Sequence, residues 1–253
     1  MRELDFSPTP PDLVRPCRVA VIGRGRLGPA LAAALERAGW PVTGPLGRDA
    51  GAAGADLVLL CVPDAEIPAA AAAVASGPVV GHCSGSLGLD AIGAGHEACA
   101  LHPLMTVTDA GATFAGAGAA VAGSTPRALA LATAVAQALG MRPVAIADSD
   151  RAAYHAAASL ASNFLVTLEA AAERLAATTG TGRDLLAPLV QATVANWAAL
   201  GPERALTGPL VRGDEETVAR QREAVAERTP ELLDLWDALA AATRALARPE
   251  VPA

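Results

Sequence analysis

Two short loops carry the side chains best suited to acid–base chemistry. They are Gly81-His-Cys-Ser-Gly-Ser86 and Leu101-His-Pro-Leu-Met105, and each follows an apolar run typical of a strand. His102 precedes Pro103, which restricts the backbone of His102 to an extended conformation and can aim its imidazole. We therefore interpret His102 as a candidate catalytic residue and His82 as a hydrogen-bonded structural residue.

The same loops offer an alternative arrangement, a zinc site made of His82, Cys83, Cys99 and His102. The spacing of these residues matches no common structural zinc site, so no metal is expected and the two cysteines are interpreted as core thiols. None of the four cysteines forms a Cys-x-x-Cys pair. This usage is typical of buried free thiols in the reducing cytoplasm, where we expect the protein to be located.

A polar stripe follows one predicted helix. His155, Ser159 and Asn163 recur every fourth residue and Thr167 continues the line, among mostly Ala, Leu, Phe and Val. A polar stripe on a buried helix needs partners, and a ligand in a cleft would supply them. We therefore take His155, Ser159 and Asn163 as candidate catalytic residues. In the alternative interpretation, hydroxyls bond to the helix backbone and His155 faces solvent.

A third segment, residues 205–214, is rich in turn residues and lies between two predicted helices. Thr207 and Arg212 are candidate substrate-binding residues, because a guanidinium is well suited to a substrate carboxylate. In the alternative interpretation this segment is only a turn, and Asp214 caps the next helix.

An apolar run ends in Gly23-Arg-Gly-Arg-Leu-Gly28, and a helical pattern begins at once. Strand, glycine turn and helix in this order predict a dinucleotide-binding unit. The first glycine permits the tight turn, the second lets the backbone approach a pyrophosphate, and the third lets the helix pack on the strand. The helix N-terminus then faces the phosphates. The predicted cofactor-binding residues here are Gly23, Arg24, Gly25, Arg26, Leu27 and Gly28.

The end of the second strand predicts which nucleotide binds. No acidic residue ends it to hold a ribose 2′-hydroxyl, and Arg48 stands where a 2′-phosphate would lie. Asp49 follows directly and weakens the argument, but NADP is favoured over NAD. Val62 and Pro63 close the next strand beside the expected cofactor crevice, and Asp64 is expected to cap the following helix.

Composition limits the function classes. The chain has 253 residues and a net charge of −7, with no basic face for nucleic acid. No apolar run is long enough to span a membrane. All 19 basic residues are arginine, so a lysine proton donor is excluded. The Tyr-x-x-x-Lys pair of short-chain dehydrogenases is excluded too, because Ala158 stands four residues after Tyr154.

The order of elements predicts an α/β fold with a second, all-α domain. We expect a disordered tail over 1–15, a Rossmann dinucleotide-binding domain over 16–148 and a helical substrate and dimerisation domain over 149–253. Strands are expected near 17–22, 41–46, 56–62, 78–82, 97–101, 118–122 and 142–147. Helices are expected near 27–38, 64–76, 125–139, 149–177, 183–199, 214–228 and 230–247.

The segments GRGRLG, CVPD, HCSG, LHPL, YHAAASLASN and LTGPLVRGD, in this order, resemble one bacterial family. Its members have an N-terminal Rossmann-like domain and a C-terminal helical domain of unknown function. They belong to the 6-phosphogluconate dehydrogenase-like superfamily, with pyrroline-5-carboxylate reductase and ketopantoate reductase. The resemblance implies NAD(P) binding at Gly23, Gly25 and Gly28, and a helical domain that completes a homodimer and an interdomain active site. Ordinary ketopantoate reductases use a lysine that this chain lacks, and His155 lies in that neighbourhood.

These observations together predict an NADP-dependent oxidoreductase that reduces a C=O or C=N group of a small-molecule substrate. Ketopantoate is the leading specific substrate. Two alternatives stay open: a non-catalytic NADP(H)-binding redox sensor, and a reductase of NADP that uses a deazaflavin partner. Fold-level analogy does not separate these three functions.

Overall fold

A computed structural model describes residues 16–47, 50 and 52–247. The tail predicted over 1–15 and the predicted phosphate ligand Arg48 lie outside the described residues. By its internal contacts the chain divides into two units, one ending at Ser162 and one beginning at Asn163. This division lies one helix later than the predicted boundary between residues 148 and 149.

The first unit is built on a seven-stranded sheet in the order β2-β1-β3-β4-β5-β6-β7. Neighbouring strands are parallel except β5 and β6, which are antiparallel. All seven predicted strands are present. They are β1 Val19–Ile22, β2 Val42–Leu46, β3 Leu57–Leu60, β4 Val79–His82, β5 Ala98–Leu104, β6 Gly118–Gly123 and β7 Arg142–Ala145.

Helices cover both faces of this sheet. Helices α1 (Leu27–Arg37) and α3 (Pro126–Ala138) pack on one face, and α2 (Ile67–Ala72) packs on the other. The interior strand β3 is therefore buried along its whole length, as its continuous apolar run predicts. A fourth helix, α4 (Arg151–Ser159), completes the unit after β7.

The strand order fixes where a ligand can bind. The chain leaves β1 for β2 on one side and returns to β3 on the other side of β1. Helices on opposite faces leave a crevice at this switch point, outside the carboxyl ends of the strands.

The second unit is helical, and from Asn163 to Ala247 the described chain contains no strand. Its small core combines Ala171, Val225 and Leu232 with Leu175 and Trp236. Its helices are α5 Leu165–Ala177, α6 Arg183–Leu200, α7 Pro202–Ala205, α8 Pro209–Arg212, α9 Glu215–Arg228 and α10 Leu233–Ala247.

The helix predicted over 149–177 is not one regular α-helix. A π-helical segment, Leu160–Phe164, separates α4 from α5. Because π-helical bonding joins residues five apart, the fourfold spacing of the polar stripe is not kept along one face. The loop predicted between α6 and α9 also contains the two short helices α7 and α8. Within the described residues, no helix has both the length and the hydropathy needed to cross a membrane.

Replacement of Gly123 by alanine should destabilise the first unit. Gly123 ends β6, and a Cβ on it would overlap the backbone of Leu129 in α3. The strand and helix would have to separate, which costs about 1–3 kcal/mol of unfolding free energy. Thermal unfolding followed by circular dichroism measures the loss. Gly95→Ala is the matched control, because a Cβ there meets nothing within 4 Å; equal melting temperatures for both variants would contradict the prediction.

Candidate functional site

A cavity of about 300 Å³ lies outside the carboxyl ends of β1, β2 and β3. This is the crevice that the strand order predicts. Five of the predicted cofactor-binding residues line it: Gly23, Arg24, Gly25, Val62 and Pro63. The other lining residues are Leu46, Gly47, Cys61 and Glu66.

The three glycines of the turn differ in what surrounds them. Gly23 has φ +125°, and a Cβ on it would overlap the carbonyl of Cys61. A Cβ on Gly28 would overlap the carbonyl of Gly23. A Cβ on Gly25 would meet nothing within 4 Å. The first and third glycines therefore close the turn against β3 and α1, while the second leaves open space beside the cavity.

The first turn of α1 suits an anion. Its N-cap residue, Arg26, makes no side-chain capping bond, and the turn contains no acidic residue. The N–H groups of that turn are thus free of side-chain acceptors within the helix start, which fits a phosphate. Arg24 and Arg26 are exposed, whereas Leu27 packs on the core and anchors the helix. Phosphate binding by these residues stays a prediction.

A second group of side chains meets beside the end of β4. His102 Nδ1 lies 2.9 Å from the hydroxyl of Tyr154, and the two rings meet edge to face. The His102 ring also contacts that of His155, with centroids 6.1 Å apart. A Cβ on Gly85 would lie 2.8 Å from the His155 ring and 2.9 Å from the His102 ring. The rings of His102 and His155, both predicted site residues, therefore lie close to Gly85 in the loop after β4.

Burial keeps the His102–Tyr154 pair uncharged at neutral pH. Desolvation, with smaller effects from His155 and Arg151, lowers the pKa of His102 to about 4. Desolvation also raises the pKa of Tyr154, and the nearby Arg151 charge opposes that rise. The pair is thus a neutral imidazole and a protonated phenol, joined by a hydrogen bond in which either partner can be the donor.

The loop after β4 connects this group to the cavity. Asp64, which follows the cavity residue Pro63, accepts hydrogen bonds from the hydroxyls of Ser84 (2.8 Å) and Ser86 (2.7 Å). Asp64 makes no side-chain cap, so the capping role expected for it is wrong. Gly85 lies between the two serines. The loop that is hydrogen-bonded to Asp64 beside the cavity is therefore the same loop whose Gly85 faces the His102 and His155 rings.

His82 has the structural role expected from the sequence. It is fully buried, its Nδ1 accepts from the Ser84 N–H, and its Nε2 lies 3.0 Å from the Gly88 carbonyl. Desolvation lowers the pKa of His82. The neighbouring Cys83 has its Sγ 3.7 Å from that of Cys61. Within the described residues, no three His, Cys, Asp or Glu side chains are placed to hold a metal.

The remaining predicted residues lie elsewhere. Ser159 is half-buried at the end of α4, and Asn163 is exposed within the π-helical segment. The Thr167 hydroxyl donates to the Asn163 carbonyl at 3.0 Å, as the backbone-bonding interpretation of the stripe predicts. In the second unit, Thr207 and Arg212 are exposed. Asp214 accepts from the Thr217 N–H and caps α9, as its structural interpretation predicts.

Sequence reasoning missed Tyr154 and Gly85. Tyr154 is 52 residues from its hydrogen-bond partner, so the spacing gives no sign of the contact. It is, however, the single tyrosine of the chain and directly precedes a predicted catalytic histidine. A polar aromatic side chain in that position is a signal that could have found it.

Part of the chain matches a known protein family. Residues 117–243 match the family model described as a domain of unknown function, DUF2520. The chain belongs to this family. No protein of curated function matches the sequence.

Solved structures share the fold. The chain is 21% identical to a candidate NADP oxidoreductase from Bacteroides fragilis, covering 90% of this chain and 98% of that one, with a TM-score of 0.77. The chain is also 21% identical to a Thermotoga maritima protein, covering 90% of this chain and 99% of that one, with a TM-score of 0.78. The identity to Plasmodium falciparum pyrroline carboxylate reductase with NADP bound is 11%. The match covers 92% of this chain and 98% of that one, with a TM-score of 0.58. This likeness shows a Rossmann-like domain followed by a helical C-terminal domain.

The low pKa of His102 makes stability fall on acidification. The unfolded histidine takes up a proton near its ordinary pKa of about 6.5, whereas the folded one does so only near pH 4. Unfolding therefore binds a proton between these values, and stability decreases by about 1 kcal/mol per pH unit below 6.5. Denaturant unfolding from pH 7 to pH 5 should show a smaller decrease for His102→Gln. The pKa of His82 is also lowered, so His82 maintains part of the dependence of stability on pH in the variant. An identical decrease of stability in wild type and His102→Gln would contradict the prediction.

A side chain at residue 85 should disrupt the group without unfolding the sheet. Gly85→Ala places a methyl group 2.8–2.9 Å from both imidazoles, so both rings must move away from residue 85. We expect the His102 ring resonances in NMR spectra to shift while far-ultraviolet circular dichroism is unchanged. The control is again Gly95→Ala, and unchanged His102 resonances in Gly85→Ala would contradict the packing.

Proposed function

We propose that the protein is an NADP-dependent oxidoreductase that reduces a C=O or C=N group of a small-molecule substrate. The single observation that carries the proposal is the connection between two sites. Beside a cavity of about 300 Å³, Asp64 is hydrogen-bonded to the loop of Ser84 and Ser86, and Gly85 of this loop faces the ring of His102, which is hydrogen-bonded to Tyr154. Reduction of such a group needs a hydride donor and a proton donor side by side.

Several features support NADP as the cofactor. Gly25 leaves space for a pyrophosphate, and the free first turn of α1 suits its charge. Arg24 lines the cavity, and Arg48 is proposed as the ligand of the 2′-phosphate. The Bacteroides protein is named for NADP, and the Plasmodium reductase was solved with it. When bound, NADPH supplies the hydride.

The chain's own residues supply the proton. The Tyr154 hydroxyl carries a proton that its raised pKa keeps in place until negative charge develops on the substrate. His102 orients that hydroxyl through the 2.9 Å hydrogen bond and connects it to the proton supply of the solvent. His155 limits the space beside the pair. Ser159, Asn163, Thr207 and Arg212 remain proposed substrate contacts, and ketopantoate remains the leading specific substrate.

The direct test is turnover. Purified protein is mixed with NADPH and a panel of 2-keto acids, including ketopantoate, and cyclic imines, and the loss of NADPH absorbance is followed. We expect one substrate class to be reduced. Tyr154→Phe should lower kcat by about 100-fold or more, because the proton donor is lost, with NADPH affinity unchanged.

Asn163→Ala separates the proposed substrate contact from the proton donor, because it should raise KM more than it lowers kcat. Tight NADPH binding without turnover on any substrate would favour the redox sensor. Turnover that requires an added deazaflavin would favour the third function. Full activity of Tyr154→Phe would overturn the role of Tyr154.

We also propose a homodimer formed through α6. None of the 18 residues of this helix is buried in the described chain. Leu185, Leu189 and Trp197 lie at fourfold spacing and are 63%, 64% and 57% exposed. An apolar stripe of this length is typical of an interface, and a second copy of the chain is the proposed partner.

The dimer can be tested by light scattering during gel filtration. Wild type should show twice the chain mass of 25.2 kDa. Leu189→Glu should be monomeric, because the new carboxylate would be desolvated in the interface. Gln191→Glu adds the same charge on the other side of the helix and should stay dimeric. A monomeric wild type would contradict the proposal.

The cytoplasm is the proposed location. The four cysteines form no disulfide, which suits a reducing compartment.

A further inference from the structure

Arg151 is a buried cation with too few partners. Its side chain is 1% exposed, and only its Nε is bonded, to Asp148 Oδ1 at 2.9 Å. Nη1 and Nη2 are buried and have no hydrogen-bond partner among the described residues. Asp148 neutralises the charge only in part, because its side chain is 59% exposed and solvated.

Such an arrangement is costly in a resting protein. A buried donor without an acceptor costs about 1–3 kcal/mol, and more when the group is charged. A stabilising acceptor would have to be formed at another stage of the functional cycle. Donors that are unsatisfied in the ground state and satisfied when negative charge develops are the usual means of stabilising a transition state.

The residue on which negative charge would develop is close by. Arg151, Tyr154 and His155 share one face of α4, at spacings of three and four residues. The groups around this face are His102 on β5, His155 on α4, Asp148 before α4, and Asp64 and His82 near the β4 loop. Arg151 is the only permanent cation among these groups, and burial strengthens its field.

We propose that Arg151 is a positioning residue that stabilises the phenolate left on Tyr154 when its hydroxyl protonates the substrate. This inference rests on the proposed function. NADPH, when bound, would supply a hydride to the carbon of the C=O or C=N bond. The Tyr154 proton goes to the oxygen or nitrogen, and NADP⁺ and the phenolate remain. The phenolate then regains a proton from solvent through His102.

The single tyrosine of the chain permits a direct test. Tyrosinate absorbance in the near ultraviolet reports the ionisation of Tyr154 alone, without substrate or cofactor. Arg151→Met should raise the midpoint of this titration by about one unit or more, because an opposite charge nearby favours the ionised form. Arg151→Lys should behave like Arg151→Met in this titration, because a buried lysine loses its proton before the phenol ionises. Circular dichroism at each pH limits the titration to folded protein.

Two further variants complete the test. Arg222→Met removes an exposed arginine paired with Asp237 and should leave the midpoint unchanged. Asp148→Asn removes the partial neutralisation of Arg151 and should lower the midpoint by a few tenths of a unit. This exposed substitution keeps the proposal testable if Arg151→Met does not fold. An unchanged or raised midpoint in Asp148→Asn, or an unchanged one in folded Arg151→Met, would overturn the proposal.

Kinetics separates this proposal from the proposed function. With a substrate in hand, Arg151→Met should lower kcat at least tenfold with KM nearly unchanged, and Arg151→Lys should recover part of the rate. An effect on melting temperature alone, with kcat retained, would identify Arg151 as merely structural. If the titrations shift as expected and no substrate turns over, the proposed reaction fails while the coupling of Arg151 to Tyr154 stands.

Discussion

The close approach of the glycine turn to β3 is the constraint on which the rest of the first unit depends. Gly23 lies against the carbonyl of Cys61, and Gly28 lies against the carbonyl of Gly23. These contacts fix the start of α1 and the end of β3 together. Since Asp64 follows β3 closely and holds Ser84 and Ser86, the same contacts also fix the loop that carries Gly85. The cavity and the His102–Tyr154 pair thus share one support, which in the proposed function would hold a hydride donor beside a proton donor.

Desolvation determines what the pair can do. An imidazole with a pKa of about 4 is neutral through the physiological pH range, so His102 is not an imidazolium that could act as a proton donor. In the proposed function it orients the phenol of Tyr154, whose pKa is raised by the same burial. An exposed pair would exchange protons with water at ordinary pKa values and would lose this directed geometry. Burial therefore costs some stability in acid and, in the proposed function, leaves the Tyr154 hydroxyl as an oriented proton donor.

The sheet was predictable because its signals are local. Runs such as Leu57–Leu60 are apolar without interruption, and glycine and proline separate them. The order of turn and helix at Gly23 likewise places the cavity. The His102–Tyr154 pair was only half predictable, because its contact depends on the strand order and on where α4 begins. His102 and His155 were found by residue type, but Tyr154 and Gly85 were not. The π-helical segment at Leu160–Phe164 was also not predicted, because its sequence fits an ordinary α-helix.

The absence of lysine fits the three kinds of side chain that the proposed reaction uses. A lysine can carry positive charge and release a proton, so one residue can serve both needs of a reduction. An arginine cannot release its proton in a protein and supplies only charge. A chain whose basic residues are all arginine must therefore separate the two tasks. In the proposed reaction Tyr154 with His102 holds the proton, and a permanent cation close by would stabilise the phenolate that remains. Arg151, buried one helical turn before Tyr154 with two unpaired Nη groups, is the described residue whose position meets that requirement.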